Sequence, residues 1–192
     1  MKNTLLITLL ALFSPNLIFA QSADGSAILR LNGIYVDEVM DGGDEGIGST
    51  VELSVILDET DDVFQTFGFE VGYITSEAEE FGIELDTSLV PFLFNYTVSV
   101  DIDESGFVWE AGFGVGVYFV DSELDAAFFE DESDDDVIIG GQLFGSFGYK
   151  FTESASLLAG VRYMIAEDAD LFGFEDEVLN SAAFDLSLNF AF

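Results

Sequence analysis

The sequence predicts an all-β chain, an eight-stranded antiparallel up-and-down barrel that spans a membrane. Three observations carry that prediction. The first is alternation. In residues 107–120, Phe107, Trp109, Phe113, Val115, Val117 and Phe119 fall on one parity, and Val108, Glu110, Gly112, Gly114, Gly116, Tyr118 and Val120 on the other. Successive side chains of a strand point to opposite sides, so this strand has one bulky apolar face and one small face carrying a charge. The second is length. Strands of soluble proteins commonly run about 5–6 residues, whereas a tilted strand crossing a bilayer needs about 9–11. The third is segregation. The chain carries 38 acidic against 4 basic residues, a formal charge of −34, yet 49% of it is hydrophobic and 15% aromatic. The acids gather between the apolar segments.

Taken in order, residues 1–20 read as a secretory signal. Lys2 gives a basic start, Leu5 to Phe13 is apolar, Ser14-Pro15 breaks the run, and Ile18-Phe19-Ala20 is a plausible cleavage site. The run is short for a membrane anchor helix. Residues 21–192 then form the barrel domain. Strand one spans about 27–37, with Leu29, Leu31 and Tyr35 opposed by Arg30 and Asn32. Glycines and acids at 41–46 break it. Strand two, about 49–57, sets Val51, Leu53, Val55 and Leu57 against Thr50, Glu52, Ser54 and Ile56. Strand three, about 63–75, sets Phe67, Phe69, Val71 and Tyr73 against Thr66, Gly68, Glu70 and Gly72.

Strand four, about 83–100, sets Val90, Phe92, Phe94, Tyr96 and Val98 against Pro91, Asn95, Thr97 and Ser99. Pro91 has no N–H to donate, which predicts a bulge or local break there. Strand five is the 107–120 segment, followed by an acidic loop over 121–135. Strand six, about 136–151, alternates Val137, Ile139, Leu143, Phe147 and Tyr149 with Gly140, Gln142, Ser146, Gly148 and Lys150. Strand seven, about 155–166, sets Leu157, Ala159, Val161, Tyr163 and Ile165 against Ser156, Gly160 and Arg162. An acidic loop covers 167–180. The last strand, 181–192, sets Phe184, Leu186, Leu188, Phe190 and Phe192 against Ala183, Asp185, Ser187, Asn189 and Ala191. Long and short connections alternate, as in barrels with short periplasmic turns and longer extracellular loops.

The bulky face should look outward. Eight strands enclose an interior just wide enough for side chains, and about forty large residues would overfill it. The small polar face fits. A two-sheet sandwich could hold more apolar volume, so a soluble secreted fold is the competing architecture. In lipid, however, every backbone group must be paired, which closure achieves. The cations left after signal removal, Arg30, Lys150 and Arg162, all take the small face. Acids lie at similar heights on neighbouring strands: Glu52 for Arg30, Glu110 for Lys150, Asp185 for Arg162, with Glu70 a further interior acid. A paired lumen network is expected, because unpaired buried charge is costly. Aromatics near strand ends, among them Tyr35, Tyr73, Trp109, Tyr149, Phe151 and Tyr163, suit interfacial girdles.

The run Val90-Pro91-Phe92 through Asn95-Tyr96, then Glu110 to Gly116 with its repeated Gly-x-Gly, resembles the small outer-membrane β-barrel superfamily of the OmpA, OmpX and OmpW type. The resemblance implies the fold, outer-membrane lipid as surroundings, and assembly by the outer-membrane machinery. The ending Phe190-Ala191-Phe192 looks like the C-terminal aromatic signal which that machinery reads. The superfamily's functions are diverse, so none is carried over.

Composition excludes several classes. There is no cysteine and no histidine, which removes thiolate chemistry, the commonest general base and the commonest transition-metal ligand. Such acidity repels nucleic acid. Carboxylate pairs could do acid/base work, but Glu52, Glu70 and Glu110 are better explained as partners of the cations. No enzyme activity and no cofactor are expected. Asp101-x-Asp103-x-Ser105-Gly106 resembles the start of a calcium loop, but its closing acid would fall at Gly112; it reads as a turn. The clusters Glu130, Asp131, Glu132, Asp134, Asp135, Asp136 and Glu175, Asp176, Glu177 would attract Ca²⁺ or Mg²⁺ weakly, or suit salty water, or be merely solvated. The reading that follows is a structural or surface-interacting barrel with acidic outer loops. The alternatives are a narrow pore or transporter for small solutes, apolar ones among them, and a soluble secreted binding barrel.

Overall fold

The computed structural model describes residues 27–37, 39, 45–60, 62–80, 83–102, 105–126, 132–171, 174–176 and 180–192. The expected signal, residues 1–20, lies outside them. Ten strands follow in order: β1 (Ala27–Val36), β2 (Gly46–Glu59), β3 (Val63–Glu80), β4 (Ile83–Ile102), β5 (Phe107–Ala126), β6 (Glu132–Thr152), β7 (Ala155–Ala166), β8 (Ala169–Leu171), β9 (Phe174–Asp176) and β10 (Ser181–Ala191). Eight of them close an antiparallel ring in the order β1-β10-β7-β6-β5-β4-β3-β2, while β8 and β9 form a separate ribbon. The seam joins the first and last barrel strands, from Ile28 opposite Ala191 to Val36 opposite Ala183. Closure removes the unpaired edges that lipid would penalise.

Alternation decides the wall. Val115 is 58% exposed and Leu143 57%, while Tyr118 on the opposite parity is 0% exposed. Phenylalanines tile the outer surface of β3 to β5: Phe67 stacks on Phe94 with centroids 5.9 Å apart, and Phe92 meets Phe119 edge-on at 5.3 Å. A soluble fold would bury these rings together at its centre, so the soluble-barrel and sandwich readings do not describe this molecule.

Inside, glycines make sockets. A Cβ on Gly68 would come 2.5 Å from Glu52 Oε1, and one on Gly140 would come 2.7 Å from the Tyr118 ring. Gly106, in the turn before β5, has φ +80°, a left-handed conformation that glycine adopts without steric cost.

The acidic connections depart from the sequence expectation. The stretch 121–135 reads as a loop, yet β5 runs through Ala126 and β6 begins at Glu132. On β5 the acids Asp121 and Glu123 alternate with Ser122 and Leu124 and are exposed while Ser122 is buried, and on β6 Asp134, Asp135 and Asp136 are consecutive with Asp135 exposed. Above the bilayer the outward face of a hairpin meets water instead of lipid and accepts charge. Residues 167–180 likewise read as loop but carry the β8–β9 ribbon. At Pro91 there is a break without a bulge. The β3–β4 ladder pairs Val71 with Phe92 and Ile74 with Leu89, omits the two positions between, and keeps its register. Tyr73 Oη and Ser88 Oγ bridge the two strands beside the gap at 2.6 Å.

Candidate functional site

The lumen has two tiers. The polar tier fills the middle, and every barrel strand contributes to it: Arg30 (β1), Glu52 (β2), Glu70 (β3), Asn95 (β4), Glu110 (β5), Gln142 (β6), Arg162 (β7), and Asp185 and Asn189 (β10), all buried. Arg30 donates from Nη1 to Glu52 at 3.1 Å, from Nη2 to Glu110 at 2.7 Å and from Nε to Asn189 at 3.2 Å. Arg162 donates from Nη1 to Glu70 at 2.9 Å and to Gln142 at 2.7 Å, and its Nε stands 3.5 Å from Asp185 Oδ2. Asn95 Nδ2 donates to both Glu52 and Glu70, at 2.7 and 2.6 Å, tying the two halves together. Gln142 Nε2 donates to Glu70 and to Asn95 Oδ1, each at 2.9 Å.

In the ring order, β1 lies opposite β5 and β3 opposite β7. The Arg30–Glu110 and Arg162–Glu70 pairs are therefore struts across the full bore. Ser54 donates to Glu52, Ser99 to Glu110 and Ser187 to Asp185, each at 3.1 Å. Four carboxylates share two guanidiniums. The gap between them, lined by Arg30, Arg162, their acids, Phe144, Ser146 and Ser187, offers about 10 Å³, room for one water.

Nearer the long connections the interior turns apolar. Ile34, Val36, Ile74, Leu89, Leu93, Tyr118, Val120, Ile138, Met164, Ala166 and Ala183 pack together, with Val39 and Ala169 from the connections in the same cluster. The inward parity suffices to find this tier, since each barrel residue in it alternates with an outward one. Reading the inner face for its charges alone misses it. Asn95, Gln142 and Asn189 stand on the polar face by the same reasoning, but their linking role depends on closure.

One expected pairing is corrected. Lys150 pairs with Asp101, not Glu110, at a partly exposed rim, and lies 4.9 Å over the Phe64 ring. Phe107 is level with Tyr149, so Lys150 is level with the turn. Glu110 sits four residues higher, roughly 13 Å at 3.3 Å per residue. Asp101, opposite Val108, is nearer. Glu110 is taken by Arg30. Glu70, expected only as a spare acid, is the main partner of Arg162.

The acidic residues at the loop end stand in like-charge register: Glu77 faces Asp86, Asp86 faces Glu123, and Asp121 faces Asp135. Directly opposed like charges disfavour pairing, so the hairpins persist against that repulsion. Asp134 and Asp136 each accept a hydrogen bond from the following backbone N–H. Glu132 begins β6, and Glu175 and Asp176 lie in β9; Glu130, Asp131, Glu177 and the turn residue Asp103 lie outside the described residues. No cluster of three acids in metal-holding geometry occurs among the described residues. Phe190 is half-buried on the outer wall, Phe192 is exposed, and the Phe192 N–H donates to Ala27 O at 2.9 Å across the seam.

A closed eight-strand ring, greasy outside and crossed by ion pairs within, defines a small transmembrane β-barrel of the outer-membrane type. No family model matches the chain, and no curated protein matches it in sequence. Solved structures do. Neisserial surface protein A shares 14% identity over 88% of this chain and 96% of its own, with a TM-score of 0.55. A major outer membrane protein from Thermus thermophilus shares 13% over 88% and 100%, at 0.59. Ail, the attachment invasion locus protein of Yersinia pestis, solved with the heparin analogue sucrose octasulfate, shares 13% over 88% and 97%, at 0.51. All three share this fold.

Proposed function

We propose that this chain is a non-enzymatic, non-conducting barrel of the outer membrane that works as a structural element and as a display platform for anionic loops. The observation that carries the reading is the filled lumen: side chains from every strand span it, and an apolar cluster lies above them. A bore of this kind leaves no continuous path for solute, which counts against a pore. The acids that would serve catalysis are engaged by guanidiniums and amides.

Two neighbours of the same fold are named for the cell surface and for attachment, which supports a surface role. Ail was solved with a polysulfated ligand; the acidic loop end here would repel one. Its partners are instead cationic groups, or Ca²⁺ and Mg²⁺ screening the acids around Glu132, Asp134, Asp135 and Asp136 and the stretch at Glu175 and Asp176. Outer-membrane lipid surrounds the wall, and the assembly machinery reads Phe190 and Phe192. Planar-bilayer recording of the refolded barrel tests the central point, with no current steps expected; regular steps would establish the pore instead. Titration calorimetry with Ca²⁺ tests the loops, where a flat trace would remove the ion-binding part alone.

A further inference from the structure

The interior contains two candidate barriers, and they differ in kind. The struts are polar: charged groups around a gap that already has room for one water. Loosening them would admit more water, because every group lining the gap except Phe144 is polar or charged. The tier above is dry. Tyr118, Leu89 and Val36 are each 0% exposed. Gly140 lets the Tyr118 ring lie against β6, and Gly48 lets Ile74 pack against β2. The Tyr118 hydroxyl donates to Gly141 O at 3.3 Å, which fixes the ring toward that wall. An apolar constriction excludes water and ions by dewetting, with no charge needed.

We propose that the barrier to water and ions through this barrel is the apolar tier centred on Tyr118, and that the ion-pair struts beneath it set shape rather than seal. This rests on the non-conducting reading above. The consequence is specific: cutting both struts leaves the barrel closed from the loop end, whereas trimming the tier opens it down to the struts.

The chain has no cysteine, so a single introduced thiol reports cleanly. Ser187 lines the gap between the struts. The full barrel carrying Ser187→Cys is reconstituted in vesicles, with folding checked by heat-modifiable gel mobility. A charged, membrane-impermeant methanethiosulfonate reagent is added at the loop end. Three backgrounds are compared: unaltered, strut-cut (Arg30→Met and Glu110→Gln with Arg162→Met and Glu70→Gln), and tier-trimmed (Tyr118→Ala with Leu93→Ala). Where the tier-trimmed double fails to fold, Ile138→Asn replaces it; where the strut-cut quadruple fails, the Arg30→Met/Glu110→Gln pair alone replaces it. Labelling should quicken on the order of tenfold or more in the tier-trimmed background only, as expected for opening a dewetted constriction. Equal quickening in the strut-cut background, or none in the tier-trimmed one, overturns the inference. Bilayer recording of the same proteins separates it from the reading it rests on. Current through the unaltered barrel would defeat both, while current through the strut-cut barrel alone would defeat only this inference.

Discussion

Replacing Arg162 with methionine removes the cation that Glu70 and Asp185 share. In the folded barrel its guanidinium lies 2.9 Å from Glu70 and 3.5 Å from Asp185 and donates to Gln142 at 2.7 Å. Methionine retains the bulk of the stem, so the loss is mainly electrostatic. Removing one partner of a buried ion pair costs about 3–5 kcal/mol, because the other charge stays behind. Two carboxylates stay behind here, in a lumen that already holds four for two guanidiniums. Neutralising an acid works in the opposite sense. Glu70→Gln weakens charge-assisted hydrogen bonds worth about 1.5–3 kcal/mol, but it also removes a like charge, since Glu52 and Glu70 face each other directly across β2 and β3. The expected order of stability is unaltered, then Glu70→Gln, then the double Arg162→Met/Glu70→Gln, then Arg162→Met. Urea unfolding in lipid vesicles, read by gel mobility of unboiled samples, measures it. Should Arg162→Met prove as stable as Glu70→Gln, the surplus of negative charge does not govern the lumen and the electrostatic reasoning is wrong.

Three further outcomes follow from the wall and its sockets. Val115→Arg puts a cation on the lipid side of β5 and should destabilise by about 2–4 kcal/mol if Val115 lies near the bilayer midplane; a change lost in the error of the same urea assay would mean that this face does not meet lipid. Trp109 is the sole tryptophan and is 45% exposed on the outer wall, so its fluorescence should be quenched by brominated acyl chains and little by aqueous iodide, and the reverse pattern would place it in water. Gly114→Ala drives a Cβ into the Asn95 amide and within 3.1 Å of Gln142, whereas a Cβ on outward Gly145 meets only Glu110 O at 3.7 Å. The first should cost about 1–3 kcal/mol by overpacking and the second should stay within about 0.5 kcal/mol; equal effects would show that the network has slack.

Face is the legible part of this sequence. A residue's side of the wall follows from its parity alone, which is why Phe107 and Trp109 can be turned outward without knowing what they touch. Strand ends are less legible. Asp121, Glu123, Asp134 and Asp135 look like loop residues because charge usually marks connections, but a strand that rises above a bilayer turns its outer face to water, where Asp121, Glu123 and Asp135 are exposed. The apolar tier is legible in principle, at Ile34, Ile74, Leu93 and Tyr118, since nothing requires the inner parity of a membrane barrel to be polar throughout.

Partners are the least legible, for a geometric reason. Sequence order shows which strands are neighbours, and pairing by height between neighbours correctly suggests Arg30 with Glu52, which face each other in register. It cannot show that β1 lies opposite β5, because that depends on the number of strands in the ring. In an eight-strand bore a guanidinium reaches the far wall; with more strands Arg30 and Glu110 would each face water. The struts therefore reinforce a choice the outer wall also makes. A one-residue slip of β1 would turn Arg30 toward lipid and Leu29 and Leu31 toward the lumen, a penalty of about 2–4 kcal/mol for the arginine alone if it came to rest near the midplane, and it would strand Glu52 and Glu110. With so few cations in the chain, each one placed inside specifies register as well as balancing charge, which accounts for a lumen that retains an expensive polar network where an entirely apolar filling would fit.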